Sequence, residues 1–281
     1  MRKVIVTSFD ENYYRYSMVA VKSIGVNYTG TDILDIVCLV PSTLHARHDE
    51  YVRLVNQPNI NIVFRTSDRF TDLANAGDLH ASGYISAHCN HRIFLGSVLP
   101  EYDIAIYIDP DTLTMRDIDP LINFPIRNGL TALQEFSELP KQVFNDEDRP
   151  YFNNGVFIAD LNFWREFDAE NKMVNWIANA GPTPCPEQDA MNAVFIDYWA
   201  PMPPTFNFFN YKIWTDGQFE LVITNPIVVH FLGDSKPWTL NNRSKTKFEV
   251  SWAKFYHEHF NNYDAGSELL LSQISNMNSA Q

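Results

Sequence analysis

Two aspartates, one residue apart, follow an apolar run in the middle of the chain. Residues 104 to 108 read Ile-Ala-Ile-Tyr-Ile, and Asp109, Pro110 and Asp111 come directly after them. In an extended segment, residues i and i+2 point to the same side, so the two carboxylates repel each other unless a cation lies between them. The sequence Asp-Pro-Asp-Thr is also typical of a turn. The pair therefore indicates either a metal site or a turn.

His230 ends a second apolar run and is the candidate third ligand. The run reads Ile-Val-Val-His-Phe and continues into Leu-Gly-Asp-Ser-Lys-Pro-Trp. On its own, a histidine at this position is more typical of a hydrogen-bonded core residue. Carboxylate oxygens suit Mg²⁺ or Mn²⁺, and an imidazole among the ligands favours Mn²⁺. Gly233 lets the backbone approach a ligand closely, and Lys236 can reach a phosphate.

The composition argues against several classes of partner. The 281-residue chain carries a formal charge of −13, which repels nucleic acid and anionic membrane surfaces. An anionic substrate therefore needs a local positive charge, which a metal ion would supply. There is neither a P-loop nor a GxGxxG after the first strand, so P-loop NTPases and dinucleotide oxidoreductases are disfavoured.

Three scattered cysteines and the lack of a long apolar run predict a reduced, cytoplasmic protein without stable membrane association.

The alternation of apolar runs with helical patterns predicts an α/β sheet, largely parallel. Helical spacing follows the first run, and Asp10 or Asn12 is expected to cap that helix. Ligands of such sheets lie beyond the carboxyl ends of the strands, where residues 7–10, 109–111 and 230–233 fall. The predicted strands cover residues 3–8, 34–40, 61–64, 104–108, 129–134, 152–159 and 225–231, and helices are predicted at 84–98, from 161 onward and at 190–195.

Several short motifs occur along the chain in the order known from one enzyme family. They are TSFDENY at residues 7–13, Arg92, DPD at 109–111, YFNNGVF at 151–157, EQDAMN at 187–192 and HFLGDSKPW at 230–238. Over residues 3 to about 240, the chain resembles glycosyltransferase family 8. This family comprises retaining, UDP-sugar-dependent enzymes and includes glycogenin and the bacterial lipopolysaccharide galactosyl- and glucosyltransferases.

The resemblance implies a GT-A fold, an α/β architecture in which a Rossmann-like mixed sheet with helices on both faces joins an acceptor-binding half. It implies one domain over residues 1–260, with the nucleotide-sugar half at about 1–115 and the acceptor half at about 116–260. Residues 261–281 are expected to form a polar tail. They contain no Lys or Arg, unlike the basic membrane-holding tails of the bacterial relatives.

The resemblance also assigns the metal and donor contacts. It implies that Asp109, Asp111 and His230 hold Mn²⁺, with Mg²⁺ as the alternative. Pro110 departs from the family pattern because it lacks an N–H, which puts a ribose contact in doubt but leaves the metal site intact. Tyr13 would stack on uracil. The other donor contacts implied by the resemblance are Thr7, Ser8, Phe9 and Asp10 at the base or ribose, Gly233 and Lys236 at the β-phosphate, and Arg92 at a sugar or phosphate oxygen.

Gln188 occupies the family position that faces the anomeric carbon from the side opposite UDP. An amide oxygen is a poor nucleophile, so a front-face retaining mechanism is expected, in which Gln188 stabilises the developing positive charge. Glu187 is the fallback nucleophile, and Asp189 is expected to bond a sugar hydroxyl. Asn153 and Glu135 are expected to line the sugar pocket.

The expected reaction moves glucose or galactose from a UDP-sugar to an acceptor hydroxyl. The acceptor is a carbohydrate, a lipid-linked glycan or a protein, and a homodimer is compatible with the sequence. The alternative is a glycogenin-like primer that glycosylates its own tyrosine, for which Tyr211 is a candidate. A third reading, a sugar-nucleotide binding protein without turnover, is disfavoured because every expected metal and donor position is filled.

Overall fold

The computed structural model of the chain describes residues 1–69, 87–209, 225–233, 236–239 and 246–260. Apolar runs form the central strands, as predicted. The strands are β1 (Lys3–Ser8), β2 (Leu34–Leu39), β3 (Ile60–Arg65), β4 (Ile104–Ile108), β5 (Thr112–Thr114), β6 (Leu130–Gln134), β7 (Phe152–Asp160), β8 (Trp199–Pro201), β9 (Phe208–Phe209) and β10 (Val228–His230).

Seven of these strands form one mixed sheet in the order β3-β2-β1-β4-β7-β6-β8. Strands β1 to β4 pair in parallel, whereas β7 runs antiparallel to both β4 and β6. The carboxyl ends of β1, β4 and β6 therefore share one edge with the amino end of β7. A second, small sheet packs β10 between β5 and β9. This sheet places the end of β10 beside the residues that follow β4.

The helices cover both faces of the large sheet. Successive side chains of a strand point to opposite faces of the sheet, so each face packs into its own hydrophobic core. Ile5 belongs to one core, and Val4 and Val6 belong to the other. The helices are α1 (Tyr14–Val26), α2 (His48–Val55), α3 (Leu95–Val98), α4 (Asp119–Ile122), α5 (Leu139–Phe144), α6 (Leu161–Glu166), α7 (Ala169–Ala180), α8 (Pro186–Val194) and α9 (Lys247–Phe260).

Three predicted elements differ in extent from the observed ones. The predicted helix at 84–98 is a 3₁₀ segment, Ala87–Phe94, followed by the short α3, and its first three residues lie outside the described part. The predicted helix at 190–195 begins four residues earlier, because Pro186 fits the first turn of a helix. The strand predicted at 225–231 is confined to β10.

The expected side-chain cap of α1 is absent. Tyr13 occupies the N-cap position and its side chain makes no capping hydrogen bond. A turn separates Asp10 from the helix, and the carboxylate instead accepts hydrogen bonds from the backbone N–H groups of Asn12 (2.9 Å) and Tyr13 (3.2 Å). Asp10 therefore orders the loop after β1 and does not cap the amino end of α1, so the prediction of a side-chain cap was wrong.

Candidate functional site

A cavity of about 240 Å³ opens at the edge where β1, β4 and β6 end. The cavity therefore lies beyond the carboxyl ends of these strands, where ligands were expected to bind. Most of the predicted site residues lie together in its wall. The wall contains Ser8, Phe9, Asp10, Tyr13, Arg92, Asp109, Pro110, Asp111, Glu135, Asn153, Glu187, Gln188, His230, Gly233 and Lys236, together with Leu139, Asn154, Cys185 and Leu232.

Asp109, Asp111 and His230 converge in this wall. One possible ligand atom from each residue lies within 4.8 Å of the others. His230 Nε2 is 3.6 Å from Asp109 Oδ2 and 3.3 Å from Asp111 Oδ1. The strand pairing explains this proximity, because β10 runs antiparallel to β5 and places His230 opposite Thr112. The residues are thus brought together by the junction between the two sheets.

The three side chains fit a divalent cation. Asp111 Oδ1 is buried and makes no hydrogen bond, so a cation would satisfy an acceptor that is costly to leave unpaired. Two carboxylates and one imidazole form a donor set suited to Mn²⁺ or Mg²⁺. Gly155 leaves room for this arrangement, since a Cβ there would lie 2.0 Å from His230 Cε1 and 2.8 Å from Asp109 Oδ2.

Two basic side chains hold the aspartates. Arg92 donates to Asp109 Oδ1 at 2.7 Å and is only 3% exposed, and Lys236 Nζ lies 2.5 Å from Asp111 Oδ2. Burial raises the pKa of Asp109, and Arg92 opposes this shift without cancelling it. Burial acts likewise on Asp111, but the neighbouring Lys236 ammonium opposes it, and the pKa of Asp111 is held below the usual range. Arg92 is therefore a buried partner of a candidate ligand and not a helix-surface ion pair.

The loop after β1 supplies the aromatic side of the cavity. Tyr13 meets Trp238 edge-on, with ring centroids 5.7 Å apart, and Tyr16 stacks on the same Trp238 at 4.0 Å. Phe9 lines the cavity but is 2% exposed and stacks on Tyr51. Thr7 is 1% exposed and does not reach the cavity wall. Of the two aromatic residues that line the cavity, Phe9 is buried and Tyr13 is half-buried.

Gln188 is held by donors on β7. Its Oε1 accepts hydrogen bonds from the backbone N–H of Asn154 (3.1 Å) and from Asn153 Nδ2 (3.2 Å). Its Nε2 donates to the Tyr151 hydroxyl at 3.1 Å, and that hydroxyl donates to Asp189 Oδ1 at 2.5 Å. Because a backbone N–H can only donate, it fixes which end of the amide carries the oxygen.

Asp189 does not lie where the sequence reading placed it. Its side chain is fully buried and is not part of the cavity wall. The carboxylate accepts hydrogen bonds from Tyr151 and from the backbone N–H of Cys185 at 3.0 Å. In this arrangement the carboxylate does not line the cavity, and hydrogen bonds connect it to Gln188 through the Tyr151 hydroxyl.

The acidic wall also affects Cys185. Burial raises the pKa of this thiol to about 12, and the nearby carboxylates of Glu187, Asp189 and Glu135 add to the shift. We expect Cys185 to resist iodoacetamide at pH 8 in the folded protein, because the thiolate is the reactive form. Peptide mapping after labelling tests this, with urea-unfolded protein as the control. Rapid labelling of folded protein at Cys185 would contradict the expected shift.

Sequence reasoning missed one residue in this network, Asn207. It is fully buried between Asn153 and His230, and donates to the first and accepts from the second. It lies in a Pro-rich stretch with no recognisable motif, so the sequence offers no signal for it. Tyr211 and residues 261–281, about which predictions were made, lie outside the described residues. Among the helices that the structure describes, none has the length and hydropathy needed to cross a bilayer.

Comparison with known proteins gives matches at the level of both family and sequence. The sequence model described as "Glycosyl transferase family 8" matches residues 4–242. General stress protein A of Bacillus subtilis is 31% identical over 180 residues, which cover 58% of this chain and 63% of that protein. Glycogenin-1 of Oryctolagus cuniculus is 27% identical over 156 residues, or 53% of this chain and 41% of that protein. The chain therefore aligns with less than two thirds of either relative.

Comparison with solved structures identifies the fold. The galactosyltransferase LgtC, solved with donor and acceptor sugar analogues, superimposes with a TM-score of 0.76 at 22% identity. The match covers 91% of this chain and 95% of that one. The bifunctional glycosyltransferase WbbM matches 97% of this chain with a TM-score of 0.74 at 21% identity. The predicted α/β architecture of GT-A type is thus confirmed.

Proposed function

Because the chain belongs to glycosyltransferase family 8, we propose that it moves a hexose, glucose or galactose, from a UDP-sugar to an acceptor hydroxyl. The observation that carries the proposal is the convergence of Asp109, Asp111 and His230 at the wall of one cavity. A divalent ion held there, Mn²⁺ in our proposal, would act as a Lewis acid on the departing diphosphate.

The remaining wall suits a nucleotide sugar. We propose that Tyr13 stacks on the uracil and that Ser8 and Asp10 contact the base or ribose. Gly233 has φ of +79° and open space where a side chain would lie, which suits close approach of a phosphate to the backbone. Lys236, which is paired with Asp111, lines the same cavity and would offer a positive charge to that phosphate. Glu135 and Asn153 offer polar atoms for sugar hydroxyls.

We propose a front-face mechanism with retention of configuration. The bond between the anomeric carbon and the phosphate oxygen breaks, and the acceptor hydroxyl forms the new bond from the same side. Its proton passes to the departing phosphate oxygen. The arrangement of Gln188 supports this route over a double displacement, because two N–H donors already occupy its carbonyl oxygen. Burial raises the pKa of Glu187, which weakens it as an alternative nucleophile.

Replacing Gln188 by Ala is expected to slow transfer without changing its stereochemistry. Loss of one oriented dipole costs roughly 2–4 kcal/mol of transition-state stabilisation, and front-face attack does not form a bond to this residue. The rate of UDP release and the anomeric configuration of the product by NMR measure both effects. Gln188→Glu is the matched variant, since it supplies a carboxylate in nearly the same volume.

Two results would contradict the front-face route. One is a sugar adduct on Gln188 in quenched wild-type enzyme, detected by mass spectrometry. The other is an inverted product from Gln188→Ala. Accumulation of an adduct in Gln188→Glu alone agrees with the proposal, because only that variant offers a true nucleophile at this position.

The experiment that tests the proposed function screens UDP-glucose and UDP-galactose for metal-dependent UDP release. We expect slow hydrolysis without an acceptor, with water taking its place, so the acceptor need not be known. Intact-protein mass is recorded on the same samples, since an added hexose would reveal self-glycosylation. Release that requires Mn²⁺ supports the proposal. The absence of UDP release from either donor with Mn²⁺ present would refute it.

A further inference from the structure

We propose that Asn207 sets the tautomer of His230, so that Nε2 faces Asp109 and Asp111 with its lone pair. In this role Asn207 is a positioning residue for the metal site. The inference concerns metal binding alone and rests on the metal site of the proposed function, but not on the choice of donor, acceptor or mechanism. A chain of hydrogen bonds with fixed directions connects the backbone N–H of Gly155 to His230.

The orientation of the Asn153 side-chain amide is fixed by a backbone N–H. The backbone N–H of Gly155 lies 3.0 Å from Asn153 Oδ1. A backbone N–H can only donate, so the atom it meets must be the amide oxygen. The opposite end agrees, since Asn153 Nδ2 faces two acceptors, Glu135 Oε2 and Gln188 Oε1, each at 3.2 Å. Asn153 therefore has one orientation that satisfies every neighbour.

An irregularity in β7 frees this N–H. Along β6, Ala132 pairs with Phe157, but the next residue, Leu133, pairs with Asn153. The residues between them on β7 are left out of that ladder, so the N–H groups of Asn154 and Gly155 turn to side chains. One holds Gln188 and the other holds Asn153. The bulge thus supplies the fixed donors on which both amide networks depend.

The orientation of Asn153 fixes the orientation of Asn207, which in turn fixes the tautomer of His230. Asn207 Nδ2 lies 2.9 Å from Asn153 Oδ1 and donates to it. Asn207 Oδ1 must then face His230 Nδ1, also at 2.9 Å, and it can only accept. The proton of the neutral imidazole therefore resides on Nδ1. Nε2 keeps its lone pair and points at the two aspartate oxygens, an arrangement that a cation between them stabilises.

The surroundings hold Asn207 in place. It is fully buried and directly precedes β9, which pairs with β10 so that Phe209 lies opposite His230. Its burial, with β9 starting at the next residue, leaves Asn207 little room to rotate away from His230. Such partners orient a metal-binding imidazole and raise its basicity. Asn207 thus acts on the cation through His230 and not by contact.

The tautomer can be measured in the unaltered protein. Histidine is labelled with ¹⁵N, and imidazole shifts are recorded without metal at a pH where the rings are neutral. We expect the Nδ1–H form for His230, identified by its loss in His230→Ala. His45 is an internal reference for the opposite form, since its Nε2 must donate to Thr66 Oγ1, whose proton goes to Val40 O. An Nε2–H form of His230 would overturn the proposal.

Metal affinity gives an independent test that needs no sugar donor. Asn207→Leu keeps the volume but removes both hydrogen bonds, and we expect Mn²⁺ binding by titration calorimetry to weaken by about 10- to 100-fold. Asn207→Asp keeps an acceptor opposite Nδ1 and should retain the Nδ1–H tautomer. Asn59→Leu is the matched control, since Asn59 bonds Gly25 O beside the start of β3. Unchanged Mn²⁺ affinity in Asn207→Leu would overturn the proposal.

Discussion

Replacing Asp109, Asp111 or His230 is expected to abolish turnover almost completely. Asp109→Asn and Asp111→Asn keep the side-chain shape but remove the charge, and His230→Ala removes the imidazole. A metal ion supplies several kcal/mol of charge stabilisation. At about 1.4 kcal/mol per factor of ten, the loss is on the order of 10³-fold. The rate of UDP release at saturating Mn²⁺ measures it.

The control for charge alone is Asp49→Asn. Asp49 lies on α2, and its side chain is 99% exposed, so the change alters net charge by the same amount without touching the cavity. We expect wild-type turnover from this variant. Calorimetric titration with Mn²⁺ in the absence of UDP-sugar separates loss of metal from loss of chemistry. Wild-type affinity in all three ligand variants would show that the ion is bound elsewhere.

The substitution Gly155→Ala adds one methyl group and is expected to displace two of the candidate metal ligands, His230 and Asp109. A Cβ there would approach His230 Cε1 to 2.0 Å and Asp109 Oδ2 to 2.8 Å, so both ligands must move. Overpacking of this kind costs about 1–3 kcal/mol of stability. We expect the displacement of these ligands to weaken Mn²⁺ binding by about 10- to 100-fold. Thermal unfolding and Mn²⁺ titration of Gly155→Ala measure the two effects.

Gly181→Ala is the matched control for this substitution. Gly181 has φ of +73°, but a Cβ there meets nothing within 4 Å. It should therefore lose stability through backbone strain while keeping its Mn²⁺ affinity. If Gly155→Ala binds Mn²⁺ as tightly as wild type, the close packing behind His230 has no part in the metal site.

The framework of the fold could be predicted because its signals are local. Continuous apolar runs give β1 and β4, since strands buried on both faces need no polar alternation. The rule that ligands lie beyond carboxyl strand ends then placed Asp109 correctly beside the loop after β1. The same rule placed residues 230–233 at a strand end, but the direct contact of His230 with the aspartates depends on the pairing of β10 with β5, which no local pattern in the sequence predicts.

Details of the site that depend on tertiary contacts could not be predicted. Asn207 lies 23 residues before His230 and carries no motif. Asp189 follows Gln188 directly, yet the helical turn of α8 sends it away from the cavity into a bond with Tyr151. The bulge in β7 arises from register and not from composition. Each of these features requires knowing which strands are neighbours before the side chains can be placed.

We propose that the cluster of Asp109, Asp111 and His230 makes the chain a metal-dependent UDP-sugar transferase. The most direct test measures UDP release from UDP-glucose and UDP-galactose in three states: after EDTA treatment, after Mn²⁺ is restored, and in Asp109→Asn with Mn²⁺. We predict release only in the Mn²⁺-restored wild type. Equal release in EDTA, or full release by Asp109→Asn, would contradict this account.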